Sequence, residues 1–125
     1  MKCYVLDENG LPVAFDVSDT EGMLAWSQWF MSADRRIALD LIDGPEHFEV
    51  STVFTGVAIE RDGAPPELYE TVVFDGEQCV CTLSRYATRE DAIEGHLEAA
   101  FRLRALAQLS ESKTEDLIAR FMSQG

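Results

Sequence analysis

Residues 1–17 run apolar, polar turn, apolar, which predicts a β-hairpin. Cys3-Tyr4-Val5-Leu6 is β-prone, Asp7-Glu8-Asn9-Gly10 is a turn signal because Asn-Gly tolerates positive φ, and Leu11 to Val17 returns as the second strand. A helix is expected over 18–34. Ser18, Asp19 or Thr20 can cap it, and Met23, Trp26 and Phe30 form one stripe that Leu24 and Trp29 widen. The stripe reads as a core face, and Trp29 also as a partner-binding anchor, since Trp is enriched where binding energy concentrates.

Residues 35–87 read as strands. Alternation in Arg36–Ile42 puts Ile37, Leu39 and Leu41 on one face and Arg36 and Asp40 on the other. Asp43-Gly44-Pro45 makes a turn. Phe48 to Glu60 is one long β-prone run in which Gly56 marks a bulge or bend. A loop with Asp62-Gly63 and Pro65-Pro66 leads to Leu68–Phe74, and Asp75-Gly76 turns that strand into Glu77–Ser84. Turns this short favour antiparallel neighbours.

Residues 88–125 are expected to form two helices. Thr88 caps the first with Asp91 three residues on, and Ile93, Leu97, Ala100, Phe101, Leu103, Leu106 and Ala107 give it a broad apolar face. Ser112-Lys113-Thr114-Glu115 is a second capping box, followed by the stripe Leu117, Ile118, Phe121 and Met122. That stripe is larger than a lone surface helix needs, so it predicts a homodimer or partner contact with Phe121 as an apolar anchor. The whole pattern predicts a single α+β domain over 1–125. A mainly antiparallel sheet of five or six strands is covered on one face by the Trp-rich helix and the C-terminal helices.

Composition narrows the class. The chain has 125 residues, of which 46% are hydrophobic, enough for one core and too few residues for a second substantial domain. Its formal net charge of −13 argues against direct nucleic-acid binding and against adhesion to anionic membranes. No apolar run is long enough to span a bilayer, and the N-terminus lacks the basic start of a signal peptide, so a cytoplasmic location is expected. The segment 37–84 holds ten acids and only Arg61 as a base. Asp40, Asp43, Glu46, Glu49, Glu60, Asp62, Glu67, Asp75 and Glu77 are expected to make one continuous negative surface. Such a surface either solubilises the protein or attracts a basic partner.

Catalytic signals are sparse. Three cysteines, Cys3, Cys79 and Cys81, read as reduced thiols, and strand alternation predicts that Cys79 and Cys81 share a face as small buried groups. His47 sits in a polar turn and His96 on the long helix, with no second His or Cys near either in sequence, so no metal or other cofactor is expected. Ser51 lacks a nucleophile elbow, and no phosphate loop is present. One polar set, Glu70, Thr71, Arg85, Tyr86 and His96, could gather at one rim of the sheet as a pocket.

Several ordered segments carry a resemblance. They are Trp26 and Trp29-Phe30, Asp34-Arg35-Arg36-Ile37-Ala38, Val50-Ser51-Thr52-Val53-Phe54-Thr55-Gly56, Pro65-Pro66-Glu67-Leu68-Tyr69-Glu70-Thr71-Val72-Val73-Phe74, Arg85-Tyr86-Ala87-Thr88 and Glu94-Gly95-His96. Together, over residues 26–96, they resemble a family of small phage- and prophage-encoded proteins with no assigned activity. The chain departs from that pattern after Gly56, where the family shows an Asp-His pair and this chain has Val57-Ala58-Ile59-Glu60. The last twenty or so residues look like an individual extension.

The resemblance implies a phage or mobile-element setting. There, small acidic proteins often block host machinery, for instance CRISPR effectors. The first expectation is therefore a stoichiometric binder of a basic host or phage protein. A small enzyme or ligand-binding domain using the polar rim is the second, and a minor virion or assembly component the third.

Overall fold

The computed structural model describes residues 1–43, 47–109, 118–119 and 121–123. Its elements run β1 (Cys3–Leu6), β2 (Pro12–Phe15), α1 (Thr20–Ser32), β3 (Arg36–Ile42), β4 (Phe48–Ile59), β5 (Glu67–Asp75), β6 (Gln78–Tyr86) and α2 (Arg89–Leu109). Residues 118–119 and 121–123 are also helical. The second capping box, Leu117 and Glu46 lie outside the described residues.

All strand pairs are antiparallel, in the order β2-β1-β4-β5-β6, and β3 pairs with β4. The α+β reading holds, and local chemistry explains each piece. Asp7 closes the hairpin by accepting from the Asn9 and Leu11 amides at 2.8 and 2.9 Å. Asp19 caps α1 by accepting from the Gly22 amide at 2.7 Å. Thr88 caps α2 by accepting from the Asp91 amide at 3.1 Å.

Gly56 is the bend the sequence anticipates. Its φ is +74°, and a Cβ there would press on the Phe30 and Trp26 rings. The absent side chain lets α1 settle on β4. The Trp26 indole N–H donates to the Tyr4 carbonyl at 3.0 Å, and Trp29 meets Phe54 edge-on at 6.0 Å. Trp29 is thus a half-buried core contact rather than a free anchor. Leu24, expected on the packed stripe, is exposed.

The main core lies between α2 and the sheet. Ile42, Phe48, Val50 and Val73 pack against Ala99, Ala100, Leu103, Leu106, Ile118 and Phe121. Phe121 is therefore core, not a docking anchor. It lies beneath the Arg102 guanidinium, 6.0 Å from the ring centre.

Two faces are the reverse of the sequence reading. On β3, Asp40 and Ile42 turn toward α2, while Leu39 and Leu41 lie exposed on the uncovered face. On α2, Ala92, His96, Ala99, Ala100, Leu103 and Leu106 are buried, whereas Ile93, Leu97 and Phe101 point outward. Small residues and one imidazole face inward because the helix packs close to the sheet and the imidazole has partners there. The paired cysteines also separate. A register shift pairs Cys81 with Val73 and Cys79 with Phe74, which alternate along β5, so Cys79 is exposed and Cys81 half-buried. Burial raises the Cys81 thiol above its ordinary pKa.

Candidate functional site

The apolar face of β4 reads Phe48, Val50, Thr52, Phe54, so one hydroxyl interrupts an otherwise apolar row. On β5 the matching row is Tyr69, Thr71, Val73. Strand register sets Thr52 directly opposite Thr71. Their hydroxyls are 2.6 Å apart, and both residues are fully buried. Above them α2 lowers His96, whose Nδ1 is 2.7 Å from Thr52 Oγ1. On the other side of the ring, Nε2 lies 2.7 Å from Asp40 Oδ2 on β3. The Arg104 guanidinium donates to Asp40 Oδ1 at 2.8 Å. At the far end Thr71 meets the Tyr86 hydroxyl at 3.1 Å.

Six side chains from five elements thus form one chain: Arg104, Asp40, His96, Thr52, Thr71, Tyr86. Donor accounting limits its polarity. A carboxylate only accepts, so Nε2 carries a proton toward Asp40. With Nδ1 unprotonated, the ring accepts there from Thr52, Thr52 accepts from Thr71, and Thr71 accepts from Tyr86. Each hydroxyl donates once and none is orphaned, which a buried polar row requires. The Arg104 hydrogen bond, helped by that of His96 and opposed by desolvation, holds the Asp40 carboxyl below its ordinary pKa.

Gly95 makes the helix fit. A Cβ at this position would overlap the Tyr86 ring. Gly95 therefore admits Tyr86, and the next residue, His96, enters the chain.

The order carboxylate, imidazole, hydroxyl resembles a hydrolase triad, but its chemistry is different. Thr52 has no exposed surface, and its oxygen is held by both Thr71 and His96. A nucleophile must reach its substrate. The Arg104–Asp40 end of the chain opens to solvent, with the Asp40 side chain 29% exposed, and at the other end Tyr86 is half-buried and lines a surface concavity.

The expected polar rim divides. Thr71, Tyr86 and His96 belong to the chain. Glu70 and Arg85 pair at 3.6 Å on the opposite face of the sheet. There Glu70, Ser51, Val53, Phe30, Arg35 and Arg36 line an open concavity of about 360 Å³. Sequence reasoning missed Thr52, Arg104 and the inward role of Asp40. The available signals were the lone Thr in the apolar row of β4 and the spacing of His96 with Ala92 and Ala99.

The acidic surface is not continuous. Asp40 is spent inside the chain. Glu60 pairs with Lys2 at 3.0 Å and Glu67 with Arg61 at 3.1 Å, with Asp62 beside them in the loop. At the other end of β4, strand register places Glu49 and Asp75, on opposite faces of the sheet, at the same end as Asp43 and Glu77. β4 has 12 residues, so at about 3.3 Å per residue the two groups are on the order of 35 Å apart along the strand. Only the second group lacks Lys or Arg partners among the described residues. His47, which is exposed, lies 3.6 Å from Asp43.

No group of His, Cys, Asp and Glu among the described residues is arranged to hold a metal ion. No described helix is long and apolar enough to cross a membrane. No family model, curated protein or solved structure matches the chain.

Proposed function

We propose that this chain is a stoichiometric protein binder whose acidic sheet end docks on a basic surface of its target. One contrast carries the reading. The imidazole of His96 and the hydroxyls of Thr52 and Thr71 lie in the core with their hydrogen bonds taken, while Glu49, Asp75 and Glu77, among the described residues, have no Lys or Arg partner at an open end of the sheet. Uncompensated carboxylates on a rigid edge steer a basic partner into encounter and fix its register. Together with the phage-family resemblance, this favours a host target that holds nucleic acid in a basic channel. A CRISPR effector is one such target, and the site of action is then the host cytoplasm.

The test is affinity capture from phage-infected or lysogenic cells, with the wild-type chain beside a Glu49→Lys/Asp75→Lys/Glu77→Lys variant. A basic protein retained by the wild type at low salt should be released at high salt and absent from the variant. Equal retention by both chains would sink the proposal.

A further inference from the structure

Among the described edges of this sheet, the outer edge of β3 carries neither a proline nor repeated register shifts. β3 pairs with β4 alone, so alternate N–H and C=O groups along its other side have no strand partner. The β2 edge carries Pro12, and β6 is broken by two register shifts. After a single shift at Arg36/Ala38, β3 runs regularly from Ala38 to Ile42. A concavity of about 520 Å³ lies beside its first half.

Apolar groups flank this edge on both sides. Leu39 and Leu41 stand on the uncovered face, Leu41 61% exposed. Above them, Arg104 reaches over β3 to Asp40 and comes within 3.5 Å of the Leu41 carbonyl. Leu97 and Phe101 precede Arg104 by seven and three positions, so the helical period puts them toward the same flank of α2. Phe101 is 74% exposed. Large apolar side chains are thus exposed on both sides of the edge.

We infer that this edge binds a second copy of the chain, β3 against β3, antiparallel about a two-fold axis at Asp40. Charge identifies the occupant. The strand begins with Arg36 and is followed by Asp43, so an antiparallel copy of itself complements it at both ends. Side-chain direction sets the register, because opposed residues in an antiparallel pair share a face. An axis at Asp40 puts Leu39 opposite Leu41 of the second copy and Ala38 opposite Ile42. The shift at Ile37 absorbs one residue, which brings Arg36 opposite Asp43. Arg36 pairs with Val53 and lines the same concavity as Ser51 and Val53, so it shares the uncovered face with Leu39 and Leu41. No ion pair engages Arg36 among the described residues, and its match with Asp43 supplies one in each half of the dimer. At the axis each Asp40 carboxylate is already held by its own Arg104 and His96. Phe101 and Leu97 of the two copies meet on the helix side of the seam.

Sedimentation equilibrium of the full chain tests this. The expected species has twice the 14.0 kDa mass of the chain. Leu41→Lys and Phe101→Glu change exposed side chains and leave the circular dichroism of the fold intact. Each should weaken the dimer by about tenfold or more, equivalent to roughly 1.4 kcal/mol. Arg36→Asp or Asp43→Arg alone should weaken it, and the two together should restore it. A monomer throughout the micromolar range overturns the inference, as does a dimer indifferent to Leu41→Lys and Phe101→Glu. A monomer that holds a different protein through Leu41 also overturns it, while leaving the acidic-end reading intact. Conversely, loss of target capture in the Glu49/Asp75/Glu77 variant with the dimer preserved separates the two surfaces.

Discussion

His96 Nε2 lies 2.7 Å from Asp40 Oδ2 across 56 positions of sequence. That bond ties α2 to the edge strand β3, and through Thr52 and Thr71 the tie continues across β4 and β5. The row is a polar core that fixes where the helix sits on the sheet. Apolar packing alone specifies such a position less sharply, because it has no direction.

Removing the imidazole should therefore cost more than its volume. His96→Leu leaves Thr52 short of a partner and Asp40 dependent on Arg104, and should lower stability in urea by about 2–4 kcal/mol. Thr52→Val should cost less. Because both changes break one chain, the double variant should fall short of the sum by roughly 0.5–3 kcal/mol. Strict additivity would show that the six side chains do not act as a unit.

Acid should act through Asp40. Its folded pKa is lowered, first by the Arg104 hydrogen bond. The stability this contributes is present above the unfolded value, about 3.9, and is lost as pH falls through the lower folded value. Arg104→Gln lets the folded value rise toward the unfolded one. The variant should be less stable than wild type at neutral pH, and the gap should narrow as pH drops below about 4. Urea midpoints of both proteins from neutral to acidic pH check this. A gap that stays constant through the acid range contradicts it.

Gly95→Ala offers a test with opposing terms. Alanine improves helix propensity by about 1 kcal/mol. Against that, its Cβ collides with the Tyr86 ring, which must swing away and release Thr71. The net outcome should be a loss of about 1–3 kcal/mol, the range for an overpacked core. Combined with Tyr86→Ala, the same substitution should turn neutral or stabilising.

Tyr69 has the opposite problem. It is buried beside Phe54, and its hydroxyl has no hydrogen-bond partner among the described residues. Tyr69→Phe removes an unsatisfied group and should leave stability unchanged or raise it by up to about 1 kcal/mol. A clear loss of stability in thermal or urea unfolding contradicts this.

Much of the architecture was legible along the chain, and the reason is local. Asn9-Gly10, Asp19, Gly56, Asp75-Gly76 and Thr88 set turns, caps and a bend through short-range sterics and hydrogen bonds, so the elements and the antiparallel pairing of chain neighbours could be read from residue type and spacing, whereas the place of β1 beside β4 could not. The site was legible only in fragments. Thr71, Tyr86 and His96 stood out as polar residues near strand ends and on a helix, and they do converge. Glu70 and Arg85 stood beside them in sequence but alternate to the other face.

Inside and outside on β3 and α2 were not decided locally. Alternation on β3 and periodicity on α2 each offer two faces, and hydrophobicity favoured Leu39, Leu41, Leu97 and Phe101 as the buried ones. The tertiary structure chose Asp40 and His96 instead, because only the packed sheet brings them within hydrogen-bond reach of each other, Thr52 and Arg104. A satisfied polar chain can occupy the core, and the large apolar side chains then turn outward. The sequence by itself determined the elements and the −13 charge. Tertiary packing decided which carboxylates remain uncompensated and which apolar groups are left for a partner.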